Sequence, residues 1–224
     1  MRERGLQASL GGSAWTLLPE RAAYLARACD ARRCGRVHGK AATFRAHGVP
    51  VPHRTTQDNL ARLSRLIDAT GPDVLVFLGD LVHAPEALGK ATVAALARWR
   101  ERHAELALIL VEGNHDARAG ALPAQWRIER VAEPWRLDGI ALRHHPFADP
   151  SATVLAGHMH PVVHLRGRAD ESVRLPCFWM RERMIVLPAF GDFTGGAALA
   201  REANDRVIAV ADDRLFEIPA VPAV

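Results

Sequence analysis

The sequence predicts an α/β fold with a metal-binding crevice at the ends of its strands, on three observations. Helical and extended patterns alternate between residues 55 and 111. Three clusters of metal-ligand residue types, Gly79-Asp80-Leu81-Val82-His83, Gly113-Asn114-His115-Asp116 and Gly157-His158-Met159-His160, each directly follow an apolar run, at Val74–Leu78, 106–111 and Thr153–Ala156. Beyond Gly139 the elements shorten and read as strands. In open α/β sheets, ligands delivered from separate strand ends converge on one crevice.

Thr55-Thr56-Gln57-Asp58 opens a helix with a capping-box-like start. Leu60, Leu63, Leu66 and Ile67 follow at helical spacing until Thr70-Gly71-Pro72 stops it. The strand Val74–Leu78 comes next, then the first cluster. An Ala/Leu-rich stretch with Trp99, residues 85–102, reads as a second helix, followed by a strand at 106–111 and the second cluster. The strand-rich half has runs at Ile140–Arg143, 154–156, 162–165, 184–187 and 207–211, separated by Gly, Pro and Asp turns. No internal repeat, low-complexity stretch or linker divides the chain, so residues 1–224 read as one domain.

Composition agrees with a packed core. The chain has 224 residues, 49% hydrophobic and 24% charged, which is not the profile of a disordered segment. No apolar run approaches a membrane span and Met1-Arg2-Glu3-Arg4 does not lead into a signal-like core, so the expected location is cytoplasmic. Cys29, Cys34 and Cys177 lack the spacing of a disulfide framework or structural zinc site and read as free thiols. A net charge of +4, from 29 basic and 25 acidic residues, is compatible with a phosphate-bearing substrate but does not demand one.

The clusters carry the chemistry. Asp80 offers a hard oxygen able to bridge two cations, Asn114 an amide oxygen, and His158 and His160 two imidazoles from one turn. Another apolar strand ends in His144-His145, either of which can complete the set. Mixed carboxylate, amide and imidazole donors suit Mn, Fe, Zn or Mg in a catalytic site better than a thiolate-rich structural zinc site. One histidine among eleven carries little weight, and Gly113-Asn114 alone is an ordinary loop; the ordered, glycine-flanked set is the signal. Lys40 follows a glycine but lacks the upstream glycine spacing of a phosphate loop. His83, Phe44, Arg45 and His47 carry no decisive pattern, and Pro176-Cys177-Phe178 with Trp179 reads as core and turn, with no base to activate the thiol.

Gly79-Asp80, Gly113-Asn114-His115-Asp116 and Gly157-His158-Met159-His160 resemble signature blocks of the calcineurin-like metallophosphoesterases, with His144 in place of the isolated histidine between the last two. A narrower resemblance, to the bacterial ligase-associated DNA-damage-response endonucleases (the PdeM family), lies in Gly39-Lys40-Ala41-Ala42-Thr43-Phe44-Arg45, Gly48-Val49-Pro50-Val51-Pro52, Pro176-Cys177-Phe178 and the stretch from Leu187 to Gly196. The resemblance implies a four-layer αββα sandwich holding two divalent metals, with manganese first among the candidates. It implies that Asp80 bridges the metals, that Asn114, His144 and His158 complete one site, and that His160 belongs to the other. It further implies that a metal-bound hydroxide attacks phosphorus while His115, oriented by Asp116, stabilises or protonates the leaving oxygen. The implied substrate is DNA, and the implied partners are an ATP-dependent DNA ligase and a helicase.

Residues 29–38 depart from that pattern. The family's first block is an apolar strand ending in Asp-x-His, whereas this chain has Cys29-Asp30-Ala31-Arg32-Arg33-Cys34-Gly35-Arg36-Val37-His38. Three arginines are costly in a strand buried on both faces. Codons for Cys29 to Arg36, chosen among synonyms and read one base later, can spell Ala-Thr-Leu-Val-Val-Ala-Asp-Val, which suggests a local frameshift restored before Gly39. The competing reading is divergence, with His38 as a surrogate ligand and Asp30 as a distant candidate. Accordingly, two readings stand beside a DNA phosphodiesterase: a catalytically impaired metal-binding protein acting through repair partners, and a small-molecule phosphoesterase.

Overall fold

Apolar residues alternate along the strands, and the alternation builds two sheets that share one core. The computed structural model describes residues 5–26, 37–40, 53–82, 88–167, 171–191 and 195–220. Strands β1 (Leu6–Leu10), β2 (Ser13–Leu18) and β3 (Ala22–Leu25) form an antiparallel meander continued by β4 (Val37–Lys40). Helix α1 (His53–Thr70) leads into β5 (Val74–Leu78) and helix α2 (Lys90–Arg102) into β6 (Ala107–Val111). The short α3 (Asp116–Ala119) and a 3-10 turn at Ala124–Trp126 lead into β7 (Ile128–Val131). Among the described residues, these strands lie in chain order in one sheet, parallel from β4 to β7.

The second sheet is built from β8 (Trp135–Leu137), β9 (Ile140–Arg143), β10 (Thr153–Ala156), β11 (Pro161–Arg166), β12 (Ser172–Arg181), β13 (Met184–Val186), β14 (Ala197–Ala198), β15 (Arg206–Ala211) and β16 (Arg214–Ile218). Its order is β14-β11-β12-β13-β10-β9-β8, with β15 added along β12 and β16 along β15. Within it, β9, β10 and β13 run parallel.

Side-chain period decides which layer each residue joins. On β5, Val76 and Leu78 face the second sheet while Leu75 and Phe77 face the helices; on β6, Ile109 and Val111 face inward while Leu108 and Leu110 face outward. Leu142, Leu155, Phe178, Ile185 and Ile208 meet them from the second sheet. Helix α1 packs Leu60, Leu63 and Ile67, and α2 packs Leu96 and Trp99, on the outer face of the first sheet. Each such fully buried side chain contributes about 1.5–3 kcal/mol. The arrangement is mixed α/β, as expected, and of the two outer helical layers of a four-layer αββα sandwich the described residues form the one on the first sheet. Among the described residues no helix covers the outer face of the second sheet, where Ala141, Val154, Ala156, Met184 and Val186 cluster.

The second predicted helix begins later than expected. Gly89 takes extended backbone (φ −55°, ψ 147°) as N-cap, its carbonyl accepts from the Val93 N–H at 3.0 Å, and Lys90 opens the first turn. Residues 85–87 lie outside the described residues, as do His83, Phe44, Arg45, His47, Cys29, Asp30 and Cys34. The expected turn at 176–179 is instead continuous strand in β12, with Cys177 and Phe178 fully buried; burial pushes the Cys177 thiol up to about 12, which makes it inert. No described helix is long and apolar enough to cross a membrane.

Candidate metal centre

Register brings the clusters together. Strands β5 and β6 are parallel neighbours with Leu78 opposite Val111, and β9 and β10 are parallel neighbours with Arg143 opposite Ala156. Parallel strands in matched register end at the same edge, so Asp80 and Asn114 leave one sheet where His144 and His158 leave the other. The turns are tight. Asp80 (φ 54°), His158 (φ 64°) and His160 (φ 48°) all adopt left-handed backbone, which costs about 1–3 kcal/mol each and is typical of functional sites.

Glycine makes the approach close enough. A Cβ on Gly79 would collide with the His144 imidazole and lie 2.9 Å from the Gly113 Cα. One on Gly113 would strike the Asp80 carboxylate and lie 2.6 Å from the Asp80 backbone nitrogen. Cluster glycines therefore serve packing of the site as well as turning the chain.

His144 is the hub and is fully buried. Its Nδ1 lies 3.0 Å from the Leu78 carbonyl, which only accepts, so the neutral ring carries its proton on Nδ1 and presents a lone pair from Nε2. That Nε2 is 3.0 Å from Asn114 Oδ1, 2.9 Å from His158 Nδ1 and 3.6 Å from Asp80 Oδ1. Atoms gathered so closely are spaced as the ligands of a single cation are. The donor set fits one divalent ion of borderline-to-hard character. Desolvation, with the neighbouring His144 and His145, pushes the His158 imidazole below its ordinary pKa, which favours the neutral form a metal requires.

Asp116 is buried, and its carboxylate accepts three backbone N–H groups: Asp80 at 2.6 Å, Val82 at 3.0 Å and Gly113 at 3.0 Å. It thereby ties the first cluster to the second. Burial pushes its pKa up, against the pull of those amides. The His115 backbone N–H donates to Asp80 Oδ1 at 3.2 Å, adding a further tie between the clusters.

Two participants were missed or left open by the sequence. Glu133 accepts the backbone N–H groups of His144 (2.8 Å) and His145 (2.9 Å), and its other oxygen pairs with His145 Nδ1 at 2.5 Å. No local pattern marks Glu133. His145 joins His144 and His158 in a cluster whose donor atoms lie within 4.8 Å of one another. His160 is buried on the same turn but stands outside that cluster. Among the described residues no other group of three or more histidine, cysteine or carboxylate donors lies together.

A sandwich of two sheets with a strand-end imidazole, amide and carboxylate cluster defines a metallophosphoesterase. The chain belongs to the calcineurin-like phosphoesterase family, which it matches over residues 38–208. Among solved structures it is similar to Pseudomonas putida nuclease MPE, with 38% sequence identity, coverage of 96% of this chain and 100% of that one, and a TM-score of 0.82. It also matches Yfce, a phosphoesterase from E. coli, at 16% identity over 81% of this chain and 97% of that one, with a TM-score of 0.42. No curated protein matches.

Proposed function

We propose that this chain is a metal-dependent phosphodiesterase that cleaves DNA. The observation that carries the reading is the convergence of Asp80, Asn114, His144 and His158 on one point at the shared sheet edge. Full-length similarity to a nuclease supports the choice of substrate. These four residues would hold one divalent ion, manganese first among the candidates, and His160 with Asp80 would contribute to a second. An ion bound there would supply charge neutralisation for the phosphoryl oxygens and an activated water.

The chain's own residues do the rest. Asn114 and Asp80 would hold the ion against which a phosphodiester lies, and the Leu78 carbonyl holds His144 in the tautomer that leaves Nε2 free to bind. His115, at the N-cap of α3, donates a proton to the leaving oxygen. Asp116 acts on that step through the backbone, fixing Asp80 and Gly113 in place. We extend the reading to a cytoplasmic repair setting with an ATP-dependent DNA ligase and a helicase, which co-purification of the tagged chain tests.

The reading is tested by hydrolysis of single-stranded and branched DNA, with nucleotide phosphoesters as comparison, in manganese. DNA cleavage that His115→Ala reduces at least a hundredfold is expected. Cleavage of nucleotides alone would favour the small-molecule enzyme. Metal binding without hydrolysis of either would favour the impaired reading, which the departure at residues 29–38 motivates.

A further inference from the structure

Beside the metal centre stands an aromatic side chain that the fold leaves in solvent. Phe147 is 63% exposed, the most exposed large hydrophobic among the described residues. An isolated exposed apolar residue is ordinary, but this one is neither isolated nor loosely held. Its ring stacks on His145 at a centroid separation of 5.8 Å and an interplanar angle of 20°. The His145 ring in turn lies 4.5 Å from His158 and 4.7 Å from His144. Phe147 therefore stacks directly on a member of the histidine cluster.

The loop carrying it is anchored on both sides. Upstream, Glu133 grips His145 through its backbone N–H and Nδ1, and the Phe147 N–H donates to the His145 carbonyl at 2.9 Å. Downstream, the buried Asp149 accepts from the Ser151 N–H (3.0 Å) and hydroxyl (2.8 Å) and pairs with Arg136 at 2.6 Å. An exposed ring held this firmly loses little freedom when something stacks on it.

We infer that Phe147, backed by His145, is a stacking platform for a nucleobase next to the scissile phosphate. The inference rests on the DNA reading of the same site and adds a base-binding subsite to it. Stacking recognises the π face that every base carries, so the platform adds affinity without sequence preference.

Equilibrium binding, read by fluorescence anisotropy without divalent metal so that no cleavage occurs, tests it. The probes are a labelled single-stranded oligonucleotide and its counterpart in which every base is replaced by an abasic sugar. Phe147→Ala is expected to weaken binding of the base-bearing strand about tenfold and leave the abasic strand unchanged, while Phe147→Trp retains wild-type affinity. Equal affinity of wild type for both strands, no binding of either, or no loss in Phe147→Ala overturns the platform. Equal loss on both strands also overturns it, since that would report loop damage. DNA hydrolysis by the wild type with no Phe147 effect leaves the phosphodiesterase reading standing and the platform refuted; base-dependent binding without hydrolysis does the reverse.

Discussion

At the scale of single residues, the candidate metal centre is limited by space. Gly113 packs so closely against Asp80 that one methyl group cannot be added without moving the carboxylate or its backbone nitrogen. Gly113→Ala is therefore expected to lose about 1–3 kcal/mol of stability to overpacking and to weaken manganese binding at least tenfold. Calorimetric titration checks this, and an unchanged affinity would show that the site can relax around the methyl group. Asp116 is limited by hydrogen-bond inventory instead. Three amides point at two acceptor oxygens; in Asp116→Asn one oxygen becomes an NH₂ that donates toward an N–H. Leaving a buried amide unsatisfied costs about 1–3 kcal/mol, so the variant should melt several degrees lower and bind metal more weakly. A wild-type melting temperature together with wild-type metal affinity would remove Asp116 from its organising role.

At the scale of elements, the helices on the first sheet are joined by a buried polar chain. Trp99 Nε1 on α2 donates to Ser64 Oγ on α1 at 3.1 Å, and Ser64 Oγ lies 2.9 Å from His103 Nε2, just past the end of α2. Burial first, then the charge of Arg102, pushes the His103 imidazole below its ordinary 6.5; Asp68 opposes and Arg100 adds. Because the folded value lies below the unfolded one, the unfolded chain takes the proton first. This contribution is intact above 6.5 and is lost as the pH falls through that value toward the folded one. Metal-free wild type should thus lose melting temperature more steeply between neutral and mildly acid pH than His103→Gln, and parallel curves would sink the idea. The helix α1 was legible because Leu60, Leu63, Leu66 and Ile67 follow its period, and β5 because a short apolar run meets Gly79. The β1–β2 hairpin was not read, although Gly11-Gly12, at φ 57° and 80°, is the two-residue turn its alternation calls for. Strand β12 was missed because Pro176 suggests a turn, whereas it sits at the point where pairing passes from β11 to β15.

At the scale of the whole molecule, the three clusters stand out in sequence because each sets a glycine beside its carboxylate, amide or imidazole in one short run. Glu133 does not, because its effect depends on β8 and β9 folding back to set it beneath His144 and His145. The first block poses the remaining question, and topology sharpens it. Strand β4 lies between β3 and β5, and its backbone pairs His38 with Leu75, five residues before Asp80. The His38 side chain and Asp30 lie outside the described residues. Without the family's first block, a second ion would have Asp80 and His160 alone, too few donors for tight binding. The chain with its present residues 29–36 is therefore expected to bind one divalent ion tightly and to hydrolyse phosphodiesters slowly. Restoring there an apolar strand that ends in Asp-x-His should raise the tightly held manganese to two ions per chain and restore turnover. Equal stoichiometry and equal rates in the two chains would sink the prediction. Codons that do not permit the shifted reading would instead make the departure genuine divergence, with metal binding retained and turnover much reduced.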